Sequence, residues 1–243
     1  MNIIEKIKTK QMDLNLNPPV TIAFFGDSVT QGCFELYKTG DESFLPEVRV
    51  EEGYHTKLRV ILQMLYPLVP INMIYAGISG RSTEVGLKYV ERDVCAFHPD
   101  LTIVCFGLND CCAGFNGIDA YRENLKNIFL KLKNSGSEII FLTPNLVPDD
   151  VSPEMTDKYT KQVYADIIRM SENSLGSYVE NAKEICKEEN IPVCDCYKMW
   201  MTLKENDVDT TRLLSNRINH PTDKMHWMFA FKLIETMFSD SMN

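Results

Sequence analysis

The sequence predicts an α/β fold: a three-layer α/β/α arrangement around a five-stranded parallel sheet, doubly wound in the flavodoxin-like manner. Three observations carry that expectation. Short, largely apolar runs recur at residues 20–25, 71–75, 101–106, 138–143 and 191–196, which suits strands buried on both faces. Stretches with helical periodicity separate them, and βαβ alternation implies parallel pairing with right-handed crossovers. Three of the runs close on glycine and small polar residues, so the sheet is expected to present short polar loops at one edge.

Taken in order, residues 1–19 read as a short amphipathic helix and a polar connection ending at Pro18-Pro19. The first strand stops at Gly26-Asp27-Ser28, a tight turn that presents a hydroxyl. Residues 32–53 then form a long segment with Gly40, Pro46 and the acids Glu35, Asp41, Glu42, Glu47, Glu51 and Glu52, read as a flap beside that turn or as a solvated acidic loop. Residues 54–66 repeat apolar positions at Leu58, Ile61, Leu62 and Leu65 and stop at Pro67. The second strand closes on Gly77-Ile78-Ser79-Gly80-Arg81-Ser82-Thr83, with a Ser/Thr-capped helix running to about Phe97. His98-Pro99-Asp100 leads into the third strand, which ends in Gly107-Leu108-Asn109-Asp110. A helix over 117–133, Gly136 beyond it and a strand over 138–143 make the fourth unit. Residues 144–153 form another loop at the same edge. A long helical stretch covers 159–189, with Gly176 as its one place for a break, and 191–196 is the fifth strand. A short helix and a loop over 200–217 precede the closing helix, 221–238.

With 243 residues, 44% of them hydrophobic, the chain can bury a full core and is expected to be a single domain over 1–243. Its formal charge of −9, with no basic block or stripe, argues against a nucleic-acid partner. The first residues carry charges every few positions and no apolar run approaches the roughly 20 residues of a membrane helix, so no stable membrane insertion and a cytoplasmic location are expected. Eight cysteines in such a chain read as reduced thiols. Neither Cys111-Cys112 nor Cys194-Asp195-Cys196 has zinc-ligand spacing, so no metal and no cofactor are expected.

Chemistry in an open α/β sheet gathers at the C-terminal ends of the strands, which makes Ser28 the candidate nucleophile; the alternative is a helix cap. Asn109 is either a turn residue or a polar group for the same site, and Gly80 marks a position needing no side chain.

These blocks resemble the SGNH, or GDSL-like, hydrolase family over nearly the whole chain. Phe25-Gly26-Asp27-Ser28 is similar to the family's first block, Ile78-Ser79-Gly80-Arg81 to its second and Gly107-Leu108-Asn109-Asp110 to its third. The resemblance implies a Ser28 nucleophile and an oxyanion hole of the Ser28 N–H, the Gly80 N–H and the Asn109 amide. A hydroxyl needs a base to take its proton, and a tetrahedral oxyanion needs preorganised donors.

Four histidines are available. His98 lies at the opposite edge of the sheet, and His55 reads as a surface position in a helix's first turn. Two alignments compete for the family's last block: Asp223-Lys224-Met225-His226, or His220-Pro221 with His226 inside the ensuing helix. His220 stands in a loop, whereas His226 shares a helical stripe with Phe229, Ala230, Leu233 and Met237 that faces the core, so His220 is the expected base. Asp223 then suits the dipole of the first helical turn. No carboxylate stands three or four residues before His220, where Asn216 and Arg217 occur. The ring is left to Asn216, a main-chain carbonyl, Asp223, or Asp207 or Asp209. The implied function is a serine esterase acting through an acyl-enzyme on a small-molecule ester with a short acyl group, such as O-acetyl on a carbohydrate, or on a lysophospholipid or thioester. Two rivals remain, a non-catalytic ligand-binding relative and a thiol enzyme using Cys111 or Cys112. Nothing in the sequence indicates a homo-oligomer.

Overall fold

The computed structural model describes residues 2–38, 44–154 and 158–239. In chain order its elements are α1 (Asn2–Met12), β1 (Val20–Gly26), α2 (Ser28–Gln31), β2 (Cys33–Lys38), β3 (Phe44–Val48), α3 (Tyr54–Leu65), β4 (Ile71–Gly77), α4 (Thr83–Asp93), β5 (Leu101–Cys105), α5 (Ile118–Asn134), β6 (Glu138–Leu142), α6 (Lys158–Glu188), β7 (Val193–Cys194), α7 (Cys196–Glu205) and α8 (Asp223–Ser239).

β1 is apolar along its length because parallel partners flank it and helices cover it. It pairs with β4 from Val20↔Ile71 to Gly26↔Gly77 and with β5 from Ile22↔Leu101 to Gly26↔Cys105. The sheet order is β4-β1-β5-β6-β7, all parallel, so the winding direction reverses beside β1. One helical layer contains α1, α3 and α8, which touch one another or β1, and the other contains α4, α5 and α6 packed side by side. Phe24, Phe25, Ile103, Val104, Ile140 and Phe141 lie fully buried between these layers. No helix among the described residues is long and apolar enough to cross a membrane.

Several boundaries differ from expectation, each for a local reason. The fifth strand shrinks to Val193–Cys194 because Asp195 accepts the Lys198 N–H and starts α7 at Cys196. α6 runs unbroken through Gly176, where an added Cβ would lie 3.3 Å from the Tyr197 hydroxyl; this glycine serves close packing. The helix expected to reach Phe97 stops at Asp93 and gives way to a 3-10 turn over Cys95–Phe97, with His98 in the left-handed region at φ +46°. The closing helix begins at Asp223, since Pro221 is bridged to Leu214. The 32–53 segment is an antiparallel hairpin, β2 against β3, followed by a turn over Val50–Glu52. Gly40, Asp41 and Glu42 of that segment lie outside the described residues. His55 is not a surface residue: it is fully buried, against Phe24 and Tyr75.

Candidate active site

β1 delivers the chain to a tightly pinched turn. An added Cβ on Gly26 would lie 2.5 Å from the Cys105 carbonyl oxygen and 2.3 Å from Thr30 Oγ1, so only glycine lets the turn press against β5. Asp27 then caps α2, its Oδ1 accepting the Val29 N–H at 3.0 Å, and Gly32 at φ +84° ends the helix after one turn. Because Asp27 does the capping, the Ser28 hydroxyl is free for another partner.

That partner is His220, whose Nε2 lies 3.0 Å from Ser28 Oγ. Its Nδ1 lies 3.0 Å from the main-chain carbonyl oxygen of Phe34, on β2. A carbonyl only accepts, so Nδ1 carries the ring proton and Nε2 is left as the acceptor for the Ser28 hydroxyl. Both side chains are buried. Burial pushes the His220 imidazole down to about 4, against the opposing pull of its bond to Phe34, so the ring is neutral at pH 7.

Of the orienting groups the sequence offered, it is therefore a main-chain carbonyl that faces Nδ1. Asn216 instead closes the loop before His220. Its Oδ1 accepts the N–H groups of Ile218, Asn219 and His220, each at 3.0 Å, and its amide donates to Asn219 Oδ1. Arg217, at φ +59°, turns the chain and is tied to Glu154 and to the Leu214 carbonyl. Asn145, after β6, donates to the Asn219 carbonyl at 2.9 Å and anchors the same loop. Asp223 begins α8, and Asp209 caps the turn at Thr210–Leu213 and pairs with Arg212. His226 is fully buried, its Nδ1 accepting the Tyr54 N–H at 3.0 Å, so the alternative Asp223-His226 block is turned away from the Ser28 hydroxyl.

The loops after β4 and β5 are bonded to each other and to α2. The Ile78 N–H donates to the Gly26 carbonyl, and the Ser79 N–H to Gln31 Oε1 at 2.6 Å. Asp110 Oδ1 accepts from Thr83 N and Oγ1 at 2.9 and 2.5 Å. Asn109 Nδ2 donates to the Arg81 carbonyl at 3.1 Å, which fixes the amide plane and engages one of its two hydrogens. Gly80 sits at φ +75° with open space where a Cβ would be, so its backbone conformation, not crowding, asks for glycine. Strand register alone brings Ser28, Gly80 and Asn109 to adjacent ends of β1, β4 and β5. Asp27 is buried and Asp110 half-buried, each with one enclosed oxygen unpartnered, and loss of water raises both carboxyls, Asp27 to about 7.

All eight cysteines are free. Cys111 and Cys112 each contact the Leu108 carbonyl, not an imidazole, and the bond with Cys112, with burial second, pushes the Cys111 thiol up. The bond with Cys111 holds the Cys112 thiol below its ordinary value, to about 7, but among the described residues no imidazole is hydrogen-bonded to either sulfur as a base.

The GDSL-like lipase/acylhydrolase family model matches residues 24–228, and the chain belongs to that family of ester-hydrolysing enzymes. It is 26% identical over 157 residues to an acetylxylan esterase of Geobacillus stearothermophilus, spanning 61% of this chain and 69% of that one. Among solved structures, the lipase/acylhydrolase of Enterococcus faecalis superposes with TM-score 0.67 at 22% identity, over 89% of this chain and 94% of that one. The Geobacillus stearothermophilus acetylxylan esterase superposes with TM-score 0.65 at 20% identity, over 90% and 94%. At those identities the two structures speak for the fold.

Proposed function

We propose that this chain is a serine esterase that works through a Ser28 acyl-enzyme with His220 as its base and the Phe34 carbonyl in place of an orienting carboxylate. The contact between Ser28 Oγ and His220 Nε2, with the opposite ring nitrogen held by a carbonyl, carries the reading. Ser28 Oγ attacks the ester carbonyl carbon while its proton passes to Nε2. The oxyanion is met by the Ser28 N–H, the Gly80 N–H and the free hydrogen of the Asn109 amide. Collapse expels the alcohol, which takes the proton from Nε2, and water repeats the sequence to release the acid. The carbonyl fixes the tautomer as a carboxylate would, but offers the imidazolium a dipole where an aspartate gives a full charge. Likeness to acetylxylan esterases favours short acyl groups on carbohydrate hydroxyls as substrate.

p-Nitrophenyl acetate hydrolysis by wild type, Ser28→Ala and His220→Ala tests this. Either substitution is expected to lower kcat by at least about 10³. Equal rates in all three would leave a ligand-binding protein and remove the esterase reading.

A further inference from the structure

His226, like His55, is a buried histidine that the proposed reaction leaves unused. Its ring is fully enclosed, stacked on Tyr54 with the planes 7° apart, 5.2 Å from the Phe34 ring and 5.8 Å from that of Phe229. Its Nδ1 accepts the Tyr54 N–H, which places its own proton on Nε2, and Nε2 has no hydrogen-bond partner. A buried donor without an acceptor is costly, so a position that tolerates it is held by the ring's shape and by its one bond.

The contacts around this ring form a closed circuit. The Tyr54 hydroxyl bonds Thr30 Oγ1 at 3.0 Å, on the same turn of helix as Ser28. The Tyr54 N–H bonds His226, His226 packs on Phe34, the Phe34 carbonyl holds His220 Nδ1, and His220 Nε2 returns to Ser28. Phe34 is pressed from outside by the Arg49 guanidinium, 4.1 Å from its ring centre. Resting on the serine esterase reading, we infer that His226 is a positioning residue: it seats Phe34 so that the Phe34 carbonyl meets His220 Nδ1 and keeps the base in the tautomer that accepts the Ser28 proton. A neutral ring suits the place: burial first, and then His55, Lys57, His220 and Arg49, hold its imidazole well below the ordinary value, and the other titratable group against it is the Tyr54 phenol.

The test uses the full-length protein labelled with ¹⁵N-histidine. In wild type, His226 is expected to remain the neutral Nε2–H tautomer between about pH 5 and pH 9, and His220 to show a slowly exchanging Nδ1–H. His226→Phe keeps an aromatic ring but cannot accept the Tyr54 N–H. It is expected to lose the His220 Nδ1–H signal and about 10- to 100-fold in kcat, with KM within about twofold. His226→Asn places an acceptor oxygen near the Nδ1 position but has no ring to pack on Phe34, so it is expected to lose the signal and the rate as well, and an unchanged signal and kcat in it would equally overturn the inference. A His220 signal and kcat unchanged in His226→Phe would overturn the inference, as would a wild-type His226 that titrates in that range or carries its proton on Nδ1. The last observation needs no variant to fold. Loss of activity in Ser28→Ala alongside any of these contrary results would leave the esterase reading standing while this inference falls.

Discussion

His220 begins from an unusual protonation state, because burial strips its imidazolium of water and leaves the ring neutral well below pH 6. A base must be unprotonated to accept from Ser28, so kcat/KM is expected to stay level from neutrality down to about pH 5 and to halve near about 4. A midpoint near 6.5 would show a solvated ring and contradict the geometry. Asp27 titrates in the opposite sense. Its carboxyl is raised to about 7 by burial, so the folded chain holds a proton that the unfolded chain releases at about 4. The stability it lends is complete below about 4 and is lost as pH rises to about 7. Asparagine keeps the capping oxygen and does not ionise. Asp27→Asn is therefore expected to gain on wild type by several °C in Tm between about pH 5 and about pH 8. Melting curves separated by a constant interval would refute that. That Ser28, Gly80 and Asn109 would stand at one edge was legible in the sequence because each follows a run that reads as a strand, whereas the roles proposed for them come from the family resemblance. The partner of His220 was only one of several alternatives, since a main-chain carbonyl exists at every residue and leaves no mark in the sequence.

The loop that carries His220 is an element in its own right, closed by Asn216 through three N–H groups and by Asn145 through the Asn219 carbonyl. Asn216→Ala strands those donors in a buried setting. With each unsatisfied group costing about 1–3 kcal/mol and some relaxation, roughly 2–4 kcal/mol of stability is expected to go, read by urea unfolding. Asn216→Asp retains the acceptor oxygen and is expected to recover most of it. If both variants unfold at the wild-type midpoint, Asn216 does not hold the loop. The β2–β3 hairpin, which supplies the Phe34 carbonyl, was visible in the sequence only as a long acidic segment. Its alternation is short and bulged between Cys33 and Leu36, and the acids that suggested a solvated loop include Glu47 and Glu52, which pair with Arg49 and Lys57. The strand at Val193–Cys194 was overestimated for a related reason. An apolar run does not reveal that Asp195 will cap a helix in its midst.

Across the molecule, the periodic alternation of apolar runs and amphipathic helices specified the parallel sheet, because burial on both faces leaves few other ways to cover such strands. Convergence at one edge follows from register: Gly26 stands opposite both Gly77 and Cys105, and each following loop starts from the same level. Distance between those loops could not be read from the chain, as it depends on cross-bonds such as Asn109 to Arg81 and Ser79 to Gln31. If the Asn109 amide meets the oxyanion, Asn109→Ala is expected to lower kcat by about 10²–10³ with little change in KM. An unchanged kcat would place the donor elsewhere. The most direct measurement mixes the protein rapidly with p-nitrophenyl acetate, quenches in acid and locates the acetyl group by peptide mass mapping. An acetyl ester on Ser28 is expected, forming and decaying at rates consistent with turnover. An acetyl group on Cys112, or turnover that persists in Ser28→Ala, would contradict the proposed chemistry.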